Sequence, residues 1–184
     1  MLGGAFDPPH LGHVELARTA IAYFQLDRLL VRVVAAPGHK HVDTDPQTRL
    51  LLAELAFAPF DEAEVSLDHS ARTVDSLEAL GLSDPVFLIG ADEFAAFPTW
   101  KEPERVLELA RLGVATRPGY PVAALEPVRS GLARPDRVTF FPIEPLAVSS
   151  SAIRARVAAG ETVDELVPAG VAGEIDRLGL YAAK

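Results

Sequence analysis

The chain has 184 residues, 49% of them hydrophobic and 23% charged, with no cysteine and a formal net charge of -9. Such a composition suits a globular protein with a sizeable core, the acidity argues against nucleic-acid or anionic-membrane partners, and the lack of cysteine removes disulfides, thiolate zinc sites and thiol catalysis. No apolar run reaches the ~18 residues of a membrane span and no charged leader precedes one, so the expectation is a cytoplasmic protein.

After Met1 and Leu2 comes GGAFDPPHLGH, residues 3–13. Gly3 and Gly4 allow a sharp turn and close approach to a bulky anion, while Pro8 and Pro9 exclude helix until about His10. Val14, Ala17, Ile21 and Phe24 share one face, which predicts a helix over 11–24. LLVRVVA (29–35) reads as a strand. Asp45 can cap free amides and Pro46 suits the first helical position, so a helix should run through TRLLLAELAF (48–57). EVSL (64–67) predicts another strand, followed by a helix over 74–80 with Thr73 as its cap and Gly81 as a left-handed stop. PVFLIG (85–90), LGVAT (112–116) and RVTFF (137–141) complete the predicted strands. Residues 118–136 hold Pro118, Gly119, Pro121, Pro127, Gly131 and Pro135, and are either a surface excursion or a short helix between breakers. A last helical part, about 149–184, begins at VSSSAIR (148–154), whose helix should end at Gly160.

Alternating strands and helices of this kind predict an α/β fold, a doubly wound parallel sheet covered on both faces and forming a single domain over 1–184. Open parallel sheets bind ligands beyond the carboxyl ends of their strands, where the connection order reverses. The opening motif lies where the first strand ends, so its chemistry belongs on that rim.

His10 and His13 stand three apart at a helix start, so both rings project to one side. The unpaired amides there add positive potential. Glycines, amides and two imidazoles suggest a phosphate cradle; a metal site with Asp7 as third ligand and a plain polar cap remain open. In VSSSAIR, Ser149 can cap the helix, Ser150 and Ser151 offer hydroxyls, and Arg154 follows one turn on, giving either a second anion site or an ordinary capped helix. Lys40, one of three lysines, reads alone as a solvated loop residue, and Trp100, the only tryptophan, as a core anchor.

GGAFDPPHLGH resembles the GG(T/S)FDPxHxGH opening of bacterial nicotinate-nucleotide adenylyltransferases, within the nucleotidyltransferase superfamily that carries an HxGH signature and a Rossmann-like fold. HLGH (10–13) matches that signature in full. VSSSAIR looks like the family's ISSTxIR motif, which holds the β- and γ-phosphates of ATP. PGHKH (37–41) falls at the PxHK station, which implies that Lys40 neutralises transferring phosphate; His39 and His41 are left unassigned. FLIGADEFAAFPTWKEPERVLELARLGVATRPGYP (87–121) is similar to a long family segment, and LVPAGVAGEIDRLGLY (166–181) resembles the family tail. Through that likeness Gly90 and Asp92 fall on a GxD pattern that meets nucleotide hydroxyls, Arg117 on an RPG station at the nucleotide, and Trp100 where the family stacks on a pyridine ring. Residues 118–147 carry little of the resemblance.

Four departures stand out. Ala5 replaces the usual Thr or Ser and removes one hydroxyl ligand for phosphate. The family's SYTxDTL is ARTVDSL (71–77) here, keeping Thr73 but placing Arg72 at the tyrosine position. Lys101 stands where an aromatic often follows the tryptophan. Arg72 and Lys101 both add cation where the family recognises the pyridine carboxylate, which suggests selection of the acid over the amide. Finally, only Met1 and Leu2 precede the glycine pair, so either the first strand is unusually short or the chain begins at a downstream start.

The resemblance implies adenylyl transfer from ATP to nicotinate mononucleotide, giving nicotinate adenine dinucleotide and pyrophosphate for NAD biosynthesis. His10 and His13 would meet the α-phosphate and bridging oxygens, with Gly3, Gly4, Ala5, Phe6 and Gly12 lining the phosphate loop. Arg154, Ser149 and Ser150 would hold the pyrophosphate, and Arg72, Thr73, Trp100 and Lys101 the nicotinate nucleotide. Mg²⁺ would ride on ATP oxygens with no dedicated protein site. The other readings are an adenylyltransferase for nicotinamide mononucleotide or another phosphorylated acceptor such as pantetheine phosphate, a non-catalytic nucleotide-binding regulator, and a metal hydrolase using the two histidines. The sequence leaves the oligomeric state open, a homo-oligomer included.

Overall fold

The computed structural model describes residues 1–38, 42, 44–116 and 121–183. In chain order the elements are β1 (Leu2–Gly4), α1 (Leu11–Phe24), β2 (Leu29–Val34), α2 (Pro46–Phe57), β3 (Ala63–Asp68), α3 (Thr73–Leu80), β4 (Val86–Gly90), α4 (Ala91–Ala96), α5 (Pro103–Leu109), β5 (Arg111–Thr116), α6 (Val122–Ser130), β6 (Val138–Pro142), α7 (Ser150–Ala158) and α8 (Ala169–Leu178). Short β-branched runs with helices between them suit parallel pairing, and the six strands form one parallel sheet in the order β3-β2-β1-β4-β5-β6. The predicted doubly wound α/β fold is therefore present.

Each face of the sheet carries its own apolar cluster. On one side Leu29, Val31 and Val33 of β2 pack with Ala17 and Ala20 of α1, Leu52 and Phe57 of α2, Ile153 of α7 and Ile175 of α8. On the other, Phe87 and Ile89 of β4 pack with Leu77 of α3, Phe94 of α4, Val106 of α5 and Leu125 of α6. β4 is apolar at four successive positions because both of its sides are covered.

The caps follow the sequence in part. Asp45 accepts from the amides of Gln47 and Thr48 at 3.0 Å each, and Gly81 takes the left-handed stop at φ 56°. Thr73 is not a cap: Arg72 holds that position with an extended backbone, and Thr73 is the first helical residue of α3. Within 118–136 the described residues include the short helix α6, with Pro127 inside it and Leu125 buried, and the first two residues of a single 3-10 turn, Pro135–Arg137.

β1 has three residues, and Met1 prolongs its pairing: the Met1 carbonyl accepts from the Leu88 amide at 2.9 Å and the Met1 amine donates to the Val86 carbonyl at 2.7 Å. β1 lies between β2 and β4, and the chain returns past it from β3 to β4, so the winding reverses beside β1. Leu2 pairs with Leu88, and two residues further along each strand stand Gly4 and Gly90. Both glycine stations of the sequence thus sit at the switch point.

Candidate active site

Phe6 shapes the loop after β1. Its φ is 50°, its ring is 2% exposed, and it packs edge-on against Phe57 at 5.7 Å and His13 at 5.1 Å. A Cβ on Gly4 would lie 3.1 Å from that ring, so Gly4 serves the packing of Phe6 as well as any approach of an anion. Gly12 answers a similar constraint, since a Cβ there would stand 3.1 Å from His10 Nδ1 and 3.2 Å from Val148.

The rings of His10 and His13 stack with centroids 3.7 Å apart and planes 24° from parallel. The His10 amide donates to His13 Nδ1 at 3.2 Å. In this bond Nδ1 of His13 is the acceptor, which leaves Nε2 as the nitrogen that carries a proton. Burial pushes the His10 imidazole down to about 4, its own backbone hydrogen bond opposing only in part, so this ring is neutral near pH 7. The helix amides are less available than the sequence implied: Leu11 donates to the Leu166 carbonyl at 2.9 Å and His13 to the His10 carbonyl at 2.8 Å.

The second motif meets the first directly. Ser149 caps α7 by accepting from the Ala152 amide at 3.1 Å. The Ser150 hydroxyl donates to the Pro8 carbonyl at 2.9 Å, and Arg154 Nη1 donates to the Asp7 carbonyl at 2.7 Å. Ser150 has a single proton and gives it to Pro8, so its part here is to join α7 to the loop. Arg154 keeps further N–H groups beyond the one turned to Asp7.

Two buried side chains that sequence reasoning missed, Arg49 and Asp68, and one that it weighed only as a metal ligand, Asp7, hold the surrounding segments. Arg49, 1% exposed, donates to the carbonyls of Ala5 (2.7 Å), Val34 (2.8 Å), Ala35 (2.8 Å) and Thr44 (3.0 Å). Asp7, 4% exposed, accepts from the Tyr181 hydroxyl at 2.7 Å through Oδ1. Asp68 accepts from the Ser76 hydroxyl at 2.5 Å and the Ser70 amide at 2.9 Å, bracing the segment that leads to Arg72. One signal was in view: Arg49 interrupts an apolar helical stripe. Asp7 is turned to Tyr181, and among the described residues no group of three or more His, Asp or Glu is placed to hold a metal ion. A metal that enters as the chelate of a polyphosphate suits imidazole, guanidinium and hydroxyl donors better than one bound by the protein.

The remaining sequence candidates occupy the other wing. Trp100 is partly buried and meets Phe97 at 5.4 Å and Phe87 at 6.2 Å, both edge-on. Arg72 is exposed, its Nη1 standing 3.3 Å from where a Cβ on Gly38 would lie. Lys101 is engaged elsewhere, with Asp75 at 2.7 Å and Glu102 at 3.8 Å; the hydrogen bond it donates to Asp75 raises its ammonium above the ordinary value. Asp92 stands in the first turn of α4, its Oδ1 3.6 Å from the Cβ position of Gly90. Lys40 and Arg117 lie outside the described residues.

The cytidylyltransferase-like family model matches residues 1–156. A Thermomicrobium roseum protein named probable nicotinate-nucleotide adenylyltransferase is 38% identical over 98% of this chain and 90% of its own. A Bordetella avium protein of the same name is 34% identical over 98% and 96%. Among solved structures, the Plasmodium falciparum nicotinic acid mononucleotide adenylyltransferase complexed with NaAD superposes with a TM-score of 0.79 at 16% identity, covering 98% of this chain and 95% of that one, a likeness of fold. With its HLGH turn, its serine-arginine helix and whole-length relatives of one name, the chain belongs to the nicotinate-nucleotide adenylyltransferase family of cytidylyltransferase-like nucleotidyltransferases.

Proposed function

We propose that residues 1–184 act as one cytoplasmic nucleotidyltransferase domain that joins ATP and nicotinate mononucleotide into nicotinate adenine dinucleotide and pyrophosphate. The observation that carries this reading is the junction of the two anion motifs: Arg154 and Ser150 bond the loop that presents the stacked His10 and His13, at the sheet's switch point.

The reaction exchanges one phosphoanhydride for another, so it needs neither a strong base nor a covalent nucleophile. A phosphate oxygen of the acceptor, already anionic, attacks the α-phosphorus in line; the new P–O bond forms as the bond to the β-phosphate oxygen breaks. Catalysis is alignment and charge stabilisation. His13 donates from Nε2 and His10 from its ring to the α-phosphate and bridging oxygens. Arg154 and the amides after Ser149 receive the departing pyrophosphate, and Lys40 meets the central charge. Gly90, Asp92 and Arg117 contact the nucleotide. Magnesium carried by ATP would partly neutralise the polyphosphate oxygens. On the acceptor side Trp100 offers a face to the pyridine ring beside Thr73. Arg72 is better placed than Lys101 to receive the pyridine carboxylate, because Lys101 is already paired with Asp75.

The test is pyrophosphate release from ATP with nicotinate mononucleotide, nicotinamide mononucleotide, pantetheine phosphate or no acceptor. Fastest release with the acid is expected. ATP binding without release under any condition would point to a regulator, and release that ignores the acceptor would point to a hydrolase.

A further inference from the structure

Arg49 and Tyr181 have no assigned part in the chemistry, yet both reach the same place. Arg49 projects from α2, and its four described hydrogen bonds all go to main-chain carbonyls. Ala5 belongs to the loop after β1, whereas Val34, Ala35 and Thr44 lie on the two stems of the segment that joins β2 to α2. Tyr181 comes from the far end of the chain and repeats the connection. Its hydroxyl donates to Asp7 in the loop and is also hydrogen-bonded by the Thr44 side chain.

A buried guanidinium is an expensive way to gain stability. Desolvation costs several kcal/mol per ion, and well-packed apolar residues of similar size are often as stabilising or more so. Its fan of donors does what an apolar side chain cannot, holding several separate carbonyls at fixed spacing. One of the four carbonyls, that of Ala5, belongs to the loop that leads into His10, and in the same loop Asp7 is held through its side chain by Tyr181 and through its carbonyl by Arg154.

We propose that Arg49 and Tyr181 are positioning residues, a two-sided brace that sets residues 5–7 against the stems of the β2–α2 segment and thereby places His10, His13 and Arg154 around the reacting phosphate. The inference rests on the adenylyl-transfer reading above. It predicts a specific kinetic pattern. The substrates keep their own contacts, so their apparent affinities hold, but a loop displaced by a fraction of an ångström loses in-line alignment.

The experiment compares wild type, Tyr181→Phe and Arg49→Lys in steady-state formation of the dinucleotide, together with thermal melting and far-ultraviolet circular dichroism. Tyr181→Phe removes one oxygen, and kcat should fall about 10-fold with both KM values within about twofold. Arg49→Lys keeps the charge but not the fan, and kcat should fall about 100-fold in a chain of unchanged helix content. Variants that melt earlier yet keep the wild-type kcat would show that the brace only adds stability, and would overturn the proposal. Should Arg49→Lys fail to fold, Tyr181→Phe decides alone. Wild-type protein that forms no dinucleotide removes both the functional reading and the brace; an active wild type with an unaltered Tyr181→Phe removes the brace only.

Discussion

The two wings of the proposed site are built in different ways. On the phosphate wing, backbone groups are held by other buried groups: Arg49 binds carbonyls on three segments, Ser150 and Arg154 bond Pro8 and Asp7, and Phe6 folds under Gly4. On the acceptor wing, side chains stand at the surface, Lys101 in an exposed pair with Asp75, Arg72 uncovered, and Trp100 resting edge-on against two phenylalanines. A phosphate wing made of backbone tolerates few substitutions, since glycines and short polar residues are required by contact. An acceptor wing made of exposed side chains can change its preference without disturbing the fold. Three of the four departures from the family pattern fit that division: Arg72 and Lys101 fall on the acceptor wing, and Ala5 contributes its carbonyl, which any residue would supply.

Breaking the phosphate wing should have the largest effect. His13→Ala removes a donor to developing charge and should lower turnover about 100-fold or more, read as kcat for dinucleotide formation; unchanged turnover would remove His13 from the reaction. On the acceptor wing the expected effect is smaller and selective. Arg72→Ala should cut the preference for nicotinate over nicotinamide mononucleotide about 10-fold, whereas Lys101→Ala, already satisfied by Asp75, should change it less than about twofold. Equal effects of the two variants would contradict the difference drawn between these cations.

Acidification offers a third comparison. Two bases are held neutral by burial, the Met1 amine, lowered to about 5, and His10, lowered to about 4. In both cases the folded state binds fewer protons than the unfolded one across the interval. Their stabilising contribution is therefore complete above the ordinary values of 8.0 and 6.5 and is lost as pH falls toward the folded ones. Denaturant melts between pH 8 and 5 should show falling stability, and His10→Asn should flatten the part below pH 6.5. The smallest effect lies at the start of α2: Asp45→Ala removes its cap and should cost about 1 kcal/mol in the same melts.

Much of the phosphate wing was legible because its constraints are local. A helix start needs an acceptor such as Asp45 or Ser149, and a histidine turn with no room for a Cβ needs Gly12. The parallel pairing followed from the alternation of strands and helices, whereas the order of the strands came only with the structure. Contacts across long spans of chain were not legible. Nothing near Asp7 announces that Tyr181, 174 positions away, will bond it, and an arginine among leucines does not reveal which carbonyls it gathers. Thr73 was misread because Ser, Thr and Asp are usual caps, yet the helix begins one residue earlier and Arg72 fills that position with backbone alone. The pairing of Lys101 was not legible either, since Asp75 lies 26 positions earlier, on α3.

The most direct measurement follows the α-phosphorus of ATP. Wild-type protein is given ATP labelled at that atom, with magnesium and nicotinate mononucleotide, and the products are separated. Transfer predicts the label in a dinucleotide, with pyrophosphate unlabelled and formed in equal amount. Label recovered only in ATP, or in adenosine monophosphate whether or not the acceptor is present, would contradict adenylyl transfer at this site.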